Sequence, residues 1–311
     1  VSDGTIDTTG DAAYDLDVTV SPLTANRLVV TGSDSQTAGG AQTITVTARD
    51  NYGNVATTYI GNKDLVFSGP AASPDGDTAT VTDTATSAQD IGDPTTLAFT
   101  AGISTAGGSM ILYKEETVSI NVDDGTVDST GDTAYALEVT VAADSVSRLE
   151  ITGTAAQTAG GAQTVTVTAK DAYGNINTSY TGDKSLTFSG PSVSADGNTP
   201  TVADKSATAT DIDSATTITF TSGVSSAGGS MILYKAESVS VDVSDGSIDS
   251  TGNNAYDLDV TVSQAAINRL EITGDTSQTA GTANELTITA KDTYGNIDTT
   301  YTGDKALTFS G

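Results

Sequence analysis

The chain contains no cysteine, no histidine and no tryptophan. Without cysteine there is no disulfide framework, and without cysteine and histidine there is no zinc-type metal site. Nucleophilic triads that use an imidazole base are excluded as well. Five phenylalanines in 311 residues are too few for the aromatic cleft in which a carboxylate pair cleaves glycosides, and they argue equally against an array of carbohydrate-binding modules. No apolar run approaches the roughly 20 residues of a membrane-spanning helix. Basic residues number only 12 against 40 acidic ones, a formal net charge of −28. That balance sets the chain against nucleic acid and anionic membrane surfaces, which are bound through Lys and Arg. It favours cations as partners and keeps crowded copies soluble and apart. The missing cysteine fits a secreted bacterial or archaeal surface protein whose units are large enough to form their own cores.

What is present is repetition. Residues 27–147 align without gaps on residues 148–268 and are identical at 70 of 121 positions. Arg27-Leu28 returns as Arg148-Leu149 and Arg269-Leu270, and Ala106–Lys114 returns unchanged as Ala227–Lys235. Residues 1–26 match the end of a unit and residues 269–311 match the beginning of another. The chain therefore reads as two complete units, 27–147 and 148–268, flanked by two partial ones, a segment of a longer array. A catalytic centre is seldom needed at every step of an array, whereas a spacer or lattice element is.

Within a unit, helix signals are nearly absent and period-two alternation dominates. Thr43–Ala48 predicts a half-buried strand with Ile44 and Val46 on one face and threonines on the other. Leu28–Val30, Leu65–Phe67, Leu97–Phe99, Met110–Tyr113, Val118–Val122 and Leu137–Val141 predict further strands, separated by Gly, Asp and Ser turns. Seven or eight short strands per unit, each with one apolar face, predict an all-β fold: an antiparallel sandwich of immunoglobulin-like type, repeated in a linear array. The junctions, 21–26, 142–147 and 263–268, are six residues long, so a semi-rigid rod is expected. Each unit should add about 33 Å, the span of a ten-residue strand.

Each unit places Asp-x-Tyr-Gly-Asn just after the alternating strand. The copies begin at Asp50, Asp171 and Asp292, with Gly53, Gly174 and Gly295 and then Asn54, Asn175 and Asn296. This is turn chemistry. Aspartate accepts backbone amides two residues on, glycine takes positive φ, and asparagine either tolerates the left-handed region or closes the turn. With the Thr-Ala-Gly-Gly lead-in at Thr37–Gly40 and Leu-Tyr-Lys-Ala-Glu at Leu233–Glu237, the unit resembles the bacterial immunoglobulin-like repeats of invasin and intimin stalks and giant surface adhesins. The resemblance covers essentially the whole chain. It implies an extracellular spacer on a cell surface that projects a binding tip or builds a fibre. This unit is longer than the common module of that family, and the surplus is expected in Asp-rich loops at 70–95 and 191–214.

Two classes of acidic loop are candidate Ca²⁺ ligands, since Ca²⁺ takes six to eight oxygens from carboxylates, carbonyls and water. One comprises Asp3, Asp7 and Asp11, repeated as Asp124, Asp128 and Asp132. The other comprises Asp75, Asp77, Asp90 and Asp93. Neither follows the spaced Asp-x-Asp-x-Asp-Gly pattern of a strong calcium loop, and solvated turns are the competing reading. Tyr52, Tyr59, Tyr113 and Tyr135 recur one period on and are expected to cap the core with the hydroxyl at its edge. Asn177-Thr178-Ser179 is a glycosylation sequon, absent from the preceding unit, where Ala56 stands in its place. The partners expected are neighbouring repeat units and further copies of the chain. The competing function is a self-assembling filament, sheath or surface-layer subunit, because exposed strand edges invite pairing.

Overall fold

The computed structural model describes residues 16–310 together with Thr5 and Ala13. Every regular element in it is a β-strand. The chain divides into two compact units, Val1–Ala142 and Ala143–Gly311. From Ala143 on, the junction goes with the unit that follows it: Asp144 donates its amide to the Asp171 carboxylate, and Ser147 donates to the Lys170 carbonyl.

The first unit carries twelve strands: β1 (Arg27–Thr31), β2 (Ser35–Thr37), β3 (Ala41–Thr43), β4 (Thr45–Arg49), β5 (Gly61–Ser68), β6 (Thr80–Thr82), β7 (Ala88–Asp90), β8 (Pro94–Thr100), β9 (Ile103–Ala106), β10 (Ser109–Ile111), β11 (Glu116–Asp123) and β12 (Leu137–Ala142). An eight-stranded sheet runs β1-β4-β9-β8-β5-β11-β12-β2, and a four-stranded sheet runs β3-β10-β6-β7. Pairing is antiparallel throughout except between β2 and β12, which are parallel. Strand β11 pairs over Glu116–Ile120 with β12 and over its last three residues with β5. Leu28 and Val30 donate their amides to the carbonyls of Asp128 and Tyr135, so β1, at one end of the large sheet, meets the connection between β11 and β12.

The strands with strict apolar alternation make that core. In β12, Leu137, Val139 and Val141 are buried and the residues between them are exposed. Leu28, Val46, Phe67, Phe99, Val81 and Met110 are buried at 3% exposure or less, and each such side chain contributes about 1.5–3 kcal/mol by leaving water. The same twelve strands recur one period later, from Arg148–Thr152 to Leu258–Ser263. There, Leu149, Val167, Phe188 and Phe220 of the large sheet and Val202 and Met231 of the small one form one continuous cluster. This is sheet-on-sheet packing. Within Ala143–Gly311, the residues after those twelve strands contribute one further hairpin, Arg269–Thr273 with Thr287–Lys291.

The structure departs from the sequence expectation in four ways. Twelve short strands replace seven or eight. The stretch Thr43–Ala48 is two strands, because the chain passes from the small sheet to the large one at Ile44, whose amide is taken by the Gly108 carbonyl. Thr47, expected on a solvated face, is 9% exposed. The supposed loop at 70–95 contains the β6–β7 hairpin, held down by Val81 against the core. No helix is long and apolar enough to cross a membrane among the described residues.

Candidate functional site

The Asp-x-Tyr-Gly-Asn turn follows β4, where the chain must reverse and also receive the incoming linker. Asp50 serves both needs and is fully buried. Its Oδ1 accepts the amides of Tyr52 and Asn54, both at 2.9 Å. Its Oδ2 accepts Asn54 Nδ2 at 3.1 Å and the amide of Leu23, 27 residues earlier, at 3.0 Å. Asp171 takes the linker amide of Asp144 at 3.0 Å, and Asp292 takes that of Ala265 at 2.9 Å. One carboxylate thus closes a turn and pins a linker, three times over.

Burial alone would raise the pKa of Asp50. The Asn54 side chain and the amides of Leu23, Asn54 and Tyr52 outweigh it and hold the carboxyl below the ordinary aspartate value. Asp292 is lowered by the same balance of burial against Asn296, Ala265 and Tyr294. Gly53, Gly174 and Gly295 have φ of 89°, 86° and 85°, values that a side chain would disfavour. The asparagines keep negative φ and close the turn with the side-chain amide.

The acidic loops are built differently. Asp3, Asp7 and Asp11 lie outside the described residues. Asp124 Oδ2 accepts the Tyr59 hydroxyl at 2.6 Å, and its Oδ1 accepts the amides of Thr126 and Val127 at 2.8 Å. Asp128 Oδ1 accepts both the amide and the hydroxyl of Thr130, which lowers its pKa. Asp132 is exposed and accepts the Ala134 amide. These are Asx turns, with the carboxylates aimed at their own backbone. In the second class, Asp77 Oδ2 accepts the Ser73 hydroxyl at 3.0 Å, Asp90 ends β7, and Asp93 stands just before β8. Asp75 lies in the turn ahead of β6. Among the described residues no three acidic side chains gather where they could hold a metal ion.

Tyr59 stands edge-on to Phe99, with ring centroids 4.9 Å apart and planes at 88°, and the Lys63 ammonium lies 4.7 Å from its ring centre. Tyr135 stacks under the Arg27 guanidinium at 4.8 Å. Tyr52 differs from the expectation: it is 77% exposed and caps no core of its own unit. The sequon asparagine is buried. Asn177 is 7% exposed, and its Nδ2 donates to the Asp144 carbonyl, so its amide nitrogen is unavailable in the folded chain.

A feature that alternation patterns missed lies in the second unit alone. Asp257 stands opposite Asp242, one step beyond the Val241–Leu258 pair, where the first unit has Ala136 and Asn121. Burial, then a hydrogen bond with Asp242 and its charge, raise the Asp257 pKa to about 6, against a smaller lowering by Ser250. Asn121 against Asp242 and Ala136 against Asp257 are two of the many positions at which the repeats differ, and only strand register shows that the two acids meet.

No protein-family model matches the chain, and no curated protein matches it. Among solved structures it is similar to surface layer protein SbsC, domains 4-9, at 19% identity and a TM-score of 0.27, covering 89% of this chain and 38% of that one. It is similar to the Yersinia pseudotuberculosis adhesin InvE at 15% identity and TM-score 0.28, covering 76% of this chain and 58% of that one. It is similar at TM-score 0.26 and 12% identity to a Parabacteroides merdae β-glucuronidase, covering 78% of this chain and 25% of that one. The chain thus spans less than two thirds of each of these proteins. An adhesin and an enzyme stand at nearly the same score, and scores this low carry no argument about function.

Proposed function

We propose that the chain is a structural repeat protein of an extracellular cell-surface stalk or fibre, each unit acting as a spacer. The observation that carries this reading is the gapless 121-residue period, expressed as the same twelve strands twice over. Each copy brings its own sheet-on-sheet core and its own pinned linker, so that units can be added in series. The acid-rich surface keeps neighbouring units from collapsing on one another. The functional residues in this reading are the turn residues, which carry no reaction. Nucleic acid and inserted membrane segments are not among the partners; neighbouring repeats are.

Loop lengths normally drift between repeats. Recent duplication accounts for their constancy here; a lattice that fixes loop length is the alternative, and it motivates a second reading, lateral or head-to-tail packing of units into a filament, sheath or surface layer, with or without Ca²⁺. Electron microscopy with sedimentation, in Ca²⁺ and then in EDTA, separates the two. Thin, separate rods in both conditions are expected for the stalk. Ordered filaments or sheets would overturn it, and their dissolution in EDTA would identify calcium as the glue.

A further inference from the structure

Three recurrent motifs meet in one place within the unit Ala143–Gly311. The first is the turn Asp292–Asn296. The second is Thr158-Ala-Gly-Gly161, the later copy of the Thr37–Gly40 lead-in. The third is Leu233–Glu237. The Tyr294 ring packs against the core of the preceding repeat and stands 5.0 Å from the Tyr234 ring, tilted by 54°. Its hydroxyl end rests directly on Gly160: a Cβ at that position would lie 2.0 Å from the Tyr294 oxygen. Asn296, 8% exposed, uses its whole amide group. Nδ2 donates to the Tyr234 carbonyl and to Asp292 Oδ2, both at 2.8 Å, and Oδ1 accepts the Ala236 amide at 2.8 Å. The Tyr294 carbonyl accepts the Asp196 amide at 3.2 Å, and Arg269 bridges to Asp196 at 2.7 Å.

We infer that the Asp-x-Tyr-Gly-Asn turn is an inter-repeat joint, and that the partner it recognises is the Gly-Gly and Leu-Tyr-Lys surface of the repeat before it in the same chain. The reading rests on the array function above and gives it a mechanism. A turn that needed only to reverse the chain would not require tyrosine at its centre or the acceptor oxygen of its asparagine. The first copy makes the point. Asp50 and Asn54 hold the same internal hydrogen bonds, yet Tyr52 and Asn54 are both exposed. The local turn therefore stands without the contacts that Tyr294 and Asn296 make. The asparagine has to be an amide, because the joint asks one side chain to donate to a carbonyl and accept from an N–H. Gly160 has to lack a side chain so that an aromatic ring can rest on the backbone. Ring contact, buried hydrogen bonds and a flanking ion pair are the components of a fixed interface rather than of a flexible tether.

The test uses the full 311-residue chain. It has no cysteine, so two can be placed at will, at Ser206 in the repeat and at Thr293, the variable position of the turn. Spin labels there report the distance distribution across the joint. The parent should give one narrow distribution. Tyr234→Ala, which leaves the turn untouched, and Asn296→Ala should each broaden it about twofold, and Asn296→Ala should speed exchange of the Ala236 amide about tenfold. Asn54→Ala should leave that exchange unchanged. A broad parent distribution, or one that Tyr234→Ala leaves unaltered, overturns the joint. Rods seen by microscopy with a loose joint would leave the spacer reading standing, and a tight joint in a chain that forms no rods would do the reverse.

Discussion

The Tyr59 hydroxyl donates to Oδ2 of Asp124 across 65 residues of chain, at 2.6 Å. The second unit repeats the pair as Tyr180 and Asp245 at 2.8 Å. Each bond ties the loop after the Asp-x-Tyr-Gly-Asn turn to the acidic loop after β11 or its equivalent. Burial and then the Asp124 contact raise the Tyr59 pKa far above its ordinary value. Burial would also raise Asp124, but the Tyr59 hydroxyl, the Val127 and Thr126 amides and the Lys63 charge together lower it. An aspartate with a lowered folded-state pKa adds stability above its unfolded pKa of about 4, and that stability is lost as pH falls through the folded value. Tyr59→Phe should therefore destabilise the first unit by about 1–2 kcal/mol at neutral pH and flatten the acid limb of its stability curve. Urea unfolding between pH 2 and 7 measures both, and an unchanged acid limb would count against the pairing.

The turn aspartates should matter far more than the loop aspartates. Asp171 is fully buried and accepts the amides of Asp144, Tyr173 and Asn175. Asp171→Ala leaves three main-chain donors without a partner, at a cost of about 3 kcal/mol or more. Asp132 is exposed and accepts one amide, so Asp132→Ala should stay within about 0.5 kcal/mol. Equal losses in denaturant melts would contradict the assignment.

Calcium should discriminate in the same way. Both oxygens of Asp124 already have hydrogen-bond donors, and a cation would have to displace them. Millimolar Ca²⁺ should then raise the melting temperature no more than Mg²⁺ does, since each only screens the net negative charge. A Ca²⁺-specific rise, reversed by EDTA, would show a built site.

The acid pair in the second unit gives the opposite pH dependence. Asp257, raised to about 6 by burial and Asp242, holds its proton in the folded chain after the unfolded chain has released it. Between about pH 4 and 6 the folded state binds more protons, so this pair lowers stability as pH rises. Installing the first unit's residues, Asp242→Asn with Asp257→Ala, should remove that slope and make the unit more stable at pH 7. Unfolding of both proteins across this window measures it, and parallel curves would sink the idea.

How much of this was legible in the sequence depended on strand length. Leu137–Val141 and Leu28–Val30 show alternation because every second residue is an aliphatic side chain in the core. Ser35–Thr37 and Ala88–Asp90 are three residues long with one half-buried glutamine each, too short to carry a period. Ile44 fits a single strand by pattern, because a change of sheet leaves the alternation intact. The turns were legible from Asp and Gly alone. What Tyr294 and Asn296 touch was not, since Tyr52 and Asn54 present the same residues to solvent. The Asp242–Asp257 contact was hidden for a similar reason: across a sheet, register and not sequence distance decides which acids meet.

The hairpin between β8 and β9 offers a last test of local physics. Thr100 pairs with Ile103, leaving Ala101 and Gly102 as the connection. Their φ values are 47° and 84°, and the second unit repeats them as Ser222 at 48° and Gly223 at 82°. Two consecutive positive φ values define the turn that matches strand twist, and Asn-Gly is its preferred pair. Alanine in the left-handed region costs about 1–2 kcal/mol, which asparagine largely recovers. Gly102 has no such latitude: a Cβ there would meet the Ala56 carbonyl oxygen at 2.8 Å and Val55 at 2.7 Å. Ala101→Asn and Ser222→Asn should each stabilise their unit by about 0.5–1 kcal/mol, while Gly102→Ala should destabilise the first by more than that. Thermal unfolding of the three variants decides the matter, and a neutral Gly102→Ala would mean that the hairpin does not pack against residues 55 and 56 as described.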